Sequence, residues 1–275
     1  MTVRIINGDA IDELRKMPDA SVHCCVTSPP YWRQRDYGNA AQIGLEKTPE
    51  EYVDALVAVF REARRVLVND GALWLNLGEK WASGGNGGGG SCMSQRRNTS
   101  WEHAKLARGW RSPPAGYKDK DLVGAPWMVA LALRNDGWYF RQTVIWNKTR
   151  AGEPPRLDRP STSHEYLFLL TVGPDSKVRN PGEPWFYQTV WNVVVEQAES
   201  DHPATMSKEI ARRCVVCSTA PGDVVLDPFG GAGTTGLVAD RLQRDAILIE
   251  LNPEYAAMAE KRIHADGPLF SQVTA

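Results

Sequence analysis

The stretch Val224-Val225-Leu226-Asp227-Pro228-Phe229-Gly230-Gly231-Ala232-Gly233-Thr234-Thr235-Gly236 limits what this chain can fold into more than any other. An apolar run, Val224 to Leu226, enters a glycine-rich turn, and helical-looking residues Leu237 to Leu242 follow. Gly231-Ala232-Gly233-Thr234-Thr235-Gly236 fits the G-x-G-x-x-G spacing, and Glu250 closes the next apolar strand, Ala246 to Ile249. Glycines there permit positive φ and close backbone approach, while the helix N-terminus offers oriented donors to a nucleotide-like ligand. An acid about 20 residues on is the usual acceptor for ribose hydroxyls. A dinucleotide-binding dehydrogenase starts with such a loop and adds the rest of its sheet afterwards. Only 39 residues follow Gly236, so the other strands must come first and the sheet is assembled in permuted order.

Thr27-Ser28-Pro29-Pro30-Tyr31-Trp32 ends a second apolar run, Val22 to Val26. The two prolines lock φ, remove two N–H donors and push Ser28 towards extended backbone, so the turn presents acceptors. Acceptors suit an amino group. Tyr31 and Trp32 offer rings on which a base extruded from a nucleic-acid stack can lie.

With the motifs in this order, the chain resembles the S-adenosylmethionine-dependent DNA amino-methyltransferases. The match is to their permuted subgroup, where Ser-Pro-Pro-Tyr precedes Asp-Pro-Phe-x-Gly-x-Gly. The resemblance runs from Ile6-Asn7-Gly8-Asp9-Ala10 to Glu250-Leu251-Asn252-Pro253-Glu254-Tyr255. In between it takes in Leu122 to Trp127, Gly137 to Tyr139, Ile145 to Lys148 and Arg159 to Tyr166. It implies a Rossmann-like α/β fold, with a doubly wound, mostly parallel sheet that includes an antiparallel strand. The catalytic residues it implies are Ser28, Pro29, Pro30 and Tyr31. The Ser28 hydroxyl or the Pro29 carbonyl accepts from the exocyclic amine, and Tyr31 stacks on the flipped base. S-adenosyl-L-methionine is the implied cofactor, held by Thr27, Asp227, Phe229, Gly231, Gly233, Thr234 and Thr235. Glu250 would take the ribose hydroxyls and Asp9 the adenine amine, although Asp9 also suits the N-cap of a helix over residues 10–16.

Ring-carbon methylation of cytosine would require a cysteine after a proline, and none of Cys24, Cys25, Cys92, Cys214 and Cys217 follows one. Ser28 stands where many adenine enzymes of the family carry an acid, which favours N4 of cytosine over N6 of adenine. A nucleic-acid-binding module without catalysis is the reading from another class. No metal is expected: Cys214-Val215-Val216-Cys217 has ligand-like spacing but sits in a helical pattern without a second pair. His164-Glu165 lacks the G-x-S-x-G elbow of a serine nucleophile.

At 275 residues and 42% hydrophobic content, the chain is read as a single catalytic domain over 1–275. It has no 18-residue apolar run and no signal-like N-terminus, so a soluble cytoplasmic protein with no membrane partner is expected, and the family resemblance implies bacterial or phage origin. An odd number of cysteines argues against a disulfide framework. Net charge is −1, yet Arg96, Arg97, Lys105, Arg108, Arg111, Lys118 and Lys120 are opposed locally by only Glu102 and Asp119. With Trp32 and the interleaved Trp101, Trp110 and Tyr117, these basic residues suit phosphate contacts and stacking on double-stranded DNA. The glycine-rich start of this region costs too much ordering entropy to stay fixed unaided. Residues 83–121 are therefore read as a mobile basic loop, and 173–200 as a variable recognition segment. A homodimer and a partner restriction nuclease are further expectations.

Periodicity predicts strands over Val3–Ile6, Val22–Val26, Ala72–Leu77, Tyr139–Trp146 and Thr189–Val193, with Tyr166–Val172 antiparallel to its neighbour. Helices are predicted over Ala10–Lys16, Pro49–Leu67, Trp127–Arg134 and Thr205–Cys217. Such alternation implies a sheet covered on both faces.

Overall fold

Short apolar runs alternating with amphipathic ones build a sheet flanked by helices in the computed structural model. It describes residues 1–82, 105–106, 113–149, 158–176, 178–195, 206–266 and 272–274, with backbone alone for 105–106 and 272–274. The first half contains β1 (Thr2–Asn7), α1 (Ala10–Lys16), β2 (Val22–Thr27), β3 (Arg35–Asp36), α2 (Pro49–Val66), β4 (Leu67–Leu77) and β5 (Trp81–Ala82). Next come β6 (Lys105–Leu106), β7 (Asp121–Leu122), α3 (Ala125–Asn135), β8 (Tyr139–Asn147), β9 (His164–Thr171) and β10 (Val190–Asn192). The chain continues through α4 (Lys208–Ser218), β11 (Val224–Asp227), α5 (Thr234–Arg241), β12 (Asp245–Glu250), α6 (Pro253–Asp266) and β13 (Gln272–Thr274).

Nine strands form the central sheet in the order β10-β8-β9-β4-β2-β11-β12-β1-β13. Strand β9 runs antiparallel to both β4 and β8, and the other pairings are parallel. This is the expected mostly parallel sheet with one reversed strand. Successive strand residues point to opposite faces. Leu73, Leu75, Leu77, Leu226 and Ile249 accordingly pack with α1, α2 and α3. Ala72, Trp74, Val225 and Leu248 pack with α4, α5 and α6 on the other face.

Helix α2 forms where the 3.6-residue period puts Tyr52, Leu56, Val59, Phe60, Ala63 and Val66 on one buried stripe. Thr48 and Glu51 close a capping box at its start, with Pro49 at the first helical position. Its C-cap, Leu67, is already the first residue of β4, so that strand is longer than expected. Helix α5 begins at Thr234 rather than Leu237, and Gly236 lies inside it. A Cβ on Gly236 would stand 2.8 Å from Leu248 Cδ1, so this glycine serves close packing of helix on strand rather than the turn. Helix α4 starts at Lys208 behind the cap Ser207, later than the expected Thr205, which lies outside the described residues. Sequence reading did not anticipate α6 or β13.

Much of the segment expected to vary is built into the fold. Strand β10 pairs with β8, and Trp185 and Trp191 are buried in the core around α4. Cys24, Cys214 and Cys217 are buried there as well, with thiol pKa values raised by burial.

Candidate active site

Strands β2 and β11 are neighbours, with Leu226 opposite Cys25, so the two motifs emerge together at the carboxyl edge of the sheet although about 200 residues separate them in sequence. Thr27 Oγ1 donates to Asp227 Oδ1 at 2.6 Å, joining the end of one motif to the start of the other. Asp227 also accepts from Thr235 Oγ1 (2.7 Å) and the Phe229 amide (3.1 Å). Burial raises its pKa, and these three hydrogen bonds offset part of that rise. Thr27 and Thr235 are thus committed to the carboxylate that organises the glycine turn.

The turn itself is held from several directions. Gly231 (φ +51) and Gly233 (φ +77) occupy the left-handed region, where side chains are strained. A Cβ on Gly233 would lie 2.9 Å from Ala259 Cβ, so α6 closes over the turn. Arg262 of α6 donates to the Ala232 carbonyl and to Thr234 Oγ1, both at 3.0 Å. Glu250 accepts from the amides of Gly231 and Asn252, each at 2.8 Å, and burial raises its pKa. Asp9 caps α1, accepting from the amides of Ile11 (2.9 Å) and Asp12 (3.2 Å). The same residue also lines the cleft.

That cleft has a void of about 980 Å³, counting its open mouth, and it is bordered by both motifs. Of the residues singled out from sequence, Asp9, Ser28, Pro30, Asp227, Phe229, Gly231, Thr234, Thr235 and Glu250 line it. Thr27, Pro29, Tyr31 and Gly233 are not on its wall. Missed by sequence reading were Tyr37, Asn39, Gln42 and Ile43, in the irregular link before α2. Gln42 braces that link by accepting from the Tyr37 amide (2.6 Å) and donating to the Arg35 carbonyl (3.1 Å). No periodicity marks such a segment, so only its place after the Pro-Pro turn hinted at it. The acids Asp9, Asp227 and Glu250 face a shared space. Such acceptors match a ligand carrying a cationic centre, ribose hydroxyls and an amine.

Ser28 stands between this cleft and a second group of polar side chains. Its Oγ lies 3.4 Å from the Tyr31 hydroxyl, which donates to Glu165 Oε2 at 2.8 Å and has Asn76 Oδ1 at 3.2 Å. Burial and the Glu165 carboxylate hold the Tyr31 pKa well above that of a free phenol, so its hydroxyl stays a donor. The Pro30 carbonyl is taken by the Tyr52 hydroxyl of α2 at 3.0 Å.

Two aromatic expectations need correction. Trp32 is 1% exposed, packed in the core beneath α2, with its indole N–H donating to the Glu46 carbonyl. It therefore has no face to offer a base or DNA. Tyr117 packs against that same core, its hydroxyl against Met128 Sδ. Lys118 and Lys120 are exposed, and Lys120 pairs with Asp158 at 3.3 Å. Lys105 is described by backbone only, in the β3–β6 ladder, while Arg96, Arg97, Trp101, Arg108, Trp110, Arg111 and the glycine-rich start of the expected mobile loop lie outside the described residues. No group of His, Cys, Asp or Glu able to hold a metal occurs among the described residues. None of the described helices is long and apolar enough to cross a membrane.

A doubly wound sheet whose glycine turn shares a cleft with a Ser-Pro-Pro-Tyr turn defines a Rossmann-like methyltransferase. A family profile described as DNA methylase, of the N6/N4 group, matches residues 22–261. The type II methyltransferase M.Cfr9I of Citrobacter freundii is 42% identical over 270 residues, 95% of this chain and 88% of that protein. Among solved structures, the Thermus thermophilus protein TTHA0409, crystallised with S-adenosyl-L-methionine, superposes with a TM-score of 0.70 at 28% identity, covering 98% of this chain and 97% of that one. The cytosine-N4-specific PvuII DNA methyltransferase gives 0.71 at 18% identity over 97% and 91%, a likeness of fold. The chain belongs to the N6/N4 DNA methylase family, whose methyl donor is S-adenosylmethionine and whose substrate is DNA.

Proposed function

We propose that this protein transfers the methyl group of S-adenosylmethionine to the exocyclic N4 of cytosine in double-stranded DNA, as a member of the permuted subgroup. The observation that carries the reading is the Thr27–Asp227 hydrogen bond, which sets the Ser28 turn and the glycine turn on one cleft. The cofactor, when bound, supplies an electrophilic sulfonium methyl. Glu250 would accept from its ribose hydroxyls and Asp9 from its adenine amine; Asp227, Phe229, Gly231, Thr234 and Thr235 would line its site, with Thr27 and Gly233 supporting that wall from behind through the Asp227 hydrogen bond and the left-handed turn.

The exocyclic amine of a base is a poor nucleophile because its lone pair is delocalised into the ring. Ser28 Oγ and the Pro29 carbonyl accept hydrogen bonds from it and hold that lone pair in line with the methyl group, the surplus proton of the methylated amine leaving to solvent after transfer, and orientation of this kind supplies several kcal/mol of a barrier. With the Pro30 carbonyl already engaged by Tyr52, the acceptor direction of the turn is defined. Tyr31 stacks on the flipped base. Ser28 in place of an acid favours cytosine.

We read the chain as one catalytic domain, acting in the bacterial cytoplasm and able to form a homodimer. The basic region 83–121, with Lys118 and Lys120 at its described end, and the exposed part of 173–200 contact DNA. A type II context, as in the name of M.Cfr9I, makes a partner restriction nuclease part of this reading. The test is incubation of DNA of varied sequence with enzyme and methyl-labelled S-adenosylmethionine, followed by digestion and mass identification of the modified nucleoside. N4-methylcytosine is expected. N6-methyladenine would overturn the base assignment, and cofactor binding without transfer would leave a nucleic-acid-binding module.

A further inference from the structure

The carboxyl edge of the sheet brings together residues from four strands. Because β9 runs antiparallel to β4 and β8, its first residues, His164 and Glu165, lie opposite Asn147 and Trp146 at the end of β8, and Tyr166 lies opposite Leu77 at the end of β4. Glu165 thereby reaches the Tyr31 hydroxyl with one oxygen, while Lys148, immediately after β8, donates to the other. Both partners are mostly buried, with side-chain exposures of 15% for Glu165 and 22% for Lys148. Asn76 of β4 adds its carbonyl oxygen near the same hydroxyl and spends its amide on the Tyr166 carbonyl (3.1 Å). The ring is equally constrained, since a Cβ on Gly78 would stand 2.6 Å from Tyr31 Cε2.

A phenol whose ring needed only to stack would not require its hydroxyl tied to a buried ion pair. We propose that Glu165, itself anchored by Lys148, is a positioning residue that acts through Tyr31. It fixes the plane of the ring on which the target base rests and the place of the hydroxyl that receives the Ser28 hydrogen bond. By occupying its proton on Tyr31, Ser28 turns its lone pairs towards the substrate amine. This inference rests on the methyltransferase reading above and adds residues to the same site.

Tyr31→Phe, Glu165→Ala, Glu165→Gln and the double variant Tyr31→Phe/Glu165→Ala test it. They are assayed for methyl transfer to DNA, for S-adenosylmethionine binding by calorimetry, and for fluorescence of 2-aminopurine placed at the target position. Loss of one hydrogen bond to a charged partner corresponds to about a tenfold fall in kcat. Glu165→Ala and Tyr31→Phe should each show such a fall with cofactor affinity unchanged, and the double variant should be no worse than the weaker single one. Glu165→Gln, which keeps an acceptor for the hydroxyl, should recover most of the activity. Multiplicative losses in the double variant, a parallel loss of cofactor binding, or full activity in Tyr31→Phe would overturn the proposal. Tyr31→Phe keeps the ring and its packing, so the test survives if Glu165→Ala does not fold. Wild-type protein that methylates no DNA would instead overturn the function on which the inference stands.

Discussion

Ser28 divides the site into two sides, and the glycines on those sides have different jobs. Gly231 needs its positive φ to direct the turn at Glu250, whereas Gly78 leaves room for the Tyr31 ring. Gly231→Val is expected to lower affinity for S-adenosylmethionine at least tenfold, because a β-branched residue there is strained by about 1–3 kcal/mol. Gly78→Ala should leave that affinity intact and lower kcat, as calorimetry and a transfer assay run side by side would show. Equal effects of both on binding would contradict the division.

Glu79 shows a cost at the same edge. Burial pushes its carboxyl up to about 7, and the nearby Gly124 and Lys80 amides offset only part of this, neither oxygen reaching full hydrogen-bond geometry with a described residue. A carboxyl whose folded pKa lies above the unfolded 4.5 favours folding while protonated, and that advantage is lost as pH rises from about 4.5 to about 7. Glu79→Gln should therefore match the wild type at pH 4 and exceed it at pH 8. The expected gain is about 1 kcal/mol by urea denaturation, discounted from the full shift because the side chain is partly exposed.

At the scale of elements, the strongest periodic patterns were the most legible. Helix α1 has the expected bounds, and α2 differs by one residue, because a cap and an unbroken apolar stripe agree there. Boundaries shifted where local signals conflicted. The three glycines read as one turn from Gly231 to Gly236, but the chain turns helical after Gly233, and Gly236 is a helix residue whose missing Cβ makes room for Leu248. Helix α6, with mixed small and charged residues and a weak stripe, escaped notice, yet it presses Ala259 and Arg262 onto the glycine turn. Thr48→Ala removes the capping-box acceptor for the Glu51 amide and should cost about 1 kcal/mol of stability. It should leave methyl transfer unchanged, since α2 touches the site chiefly through Tyr52. A loss of activity without a loss of stability would contradict this.

For the whole molecule, the cleft between two distant segments makes ligand binding and folding one equilibrium. S-adenosylmethionine at a hundred times its Kd should stabilise the fold by about 2.7 kcal/mol, seen as a raised Tm, whereas a nicotinamide dinucleotide should leave Tm where it was. The sequence by itself determined the two glycine- and proline-containing turns, their order along the chain and an α/β sheet, because turn chemistry and hydrophobic period are local properties of neighbouring residues. Only the tertiary structure decided who stands beside whom. It buried Trp32, which sequence had offered to DNA, because an aromatic beside a functional turn reads the same whether it faces core or solvent. It also supplied Tyr37 and Gln42 to the cleft and Glu165 and Lys148 to Tyr31, through strand order and one reversed strand that no local pattern encodes.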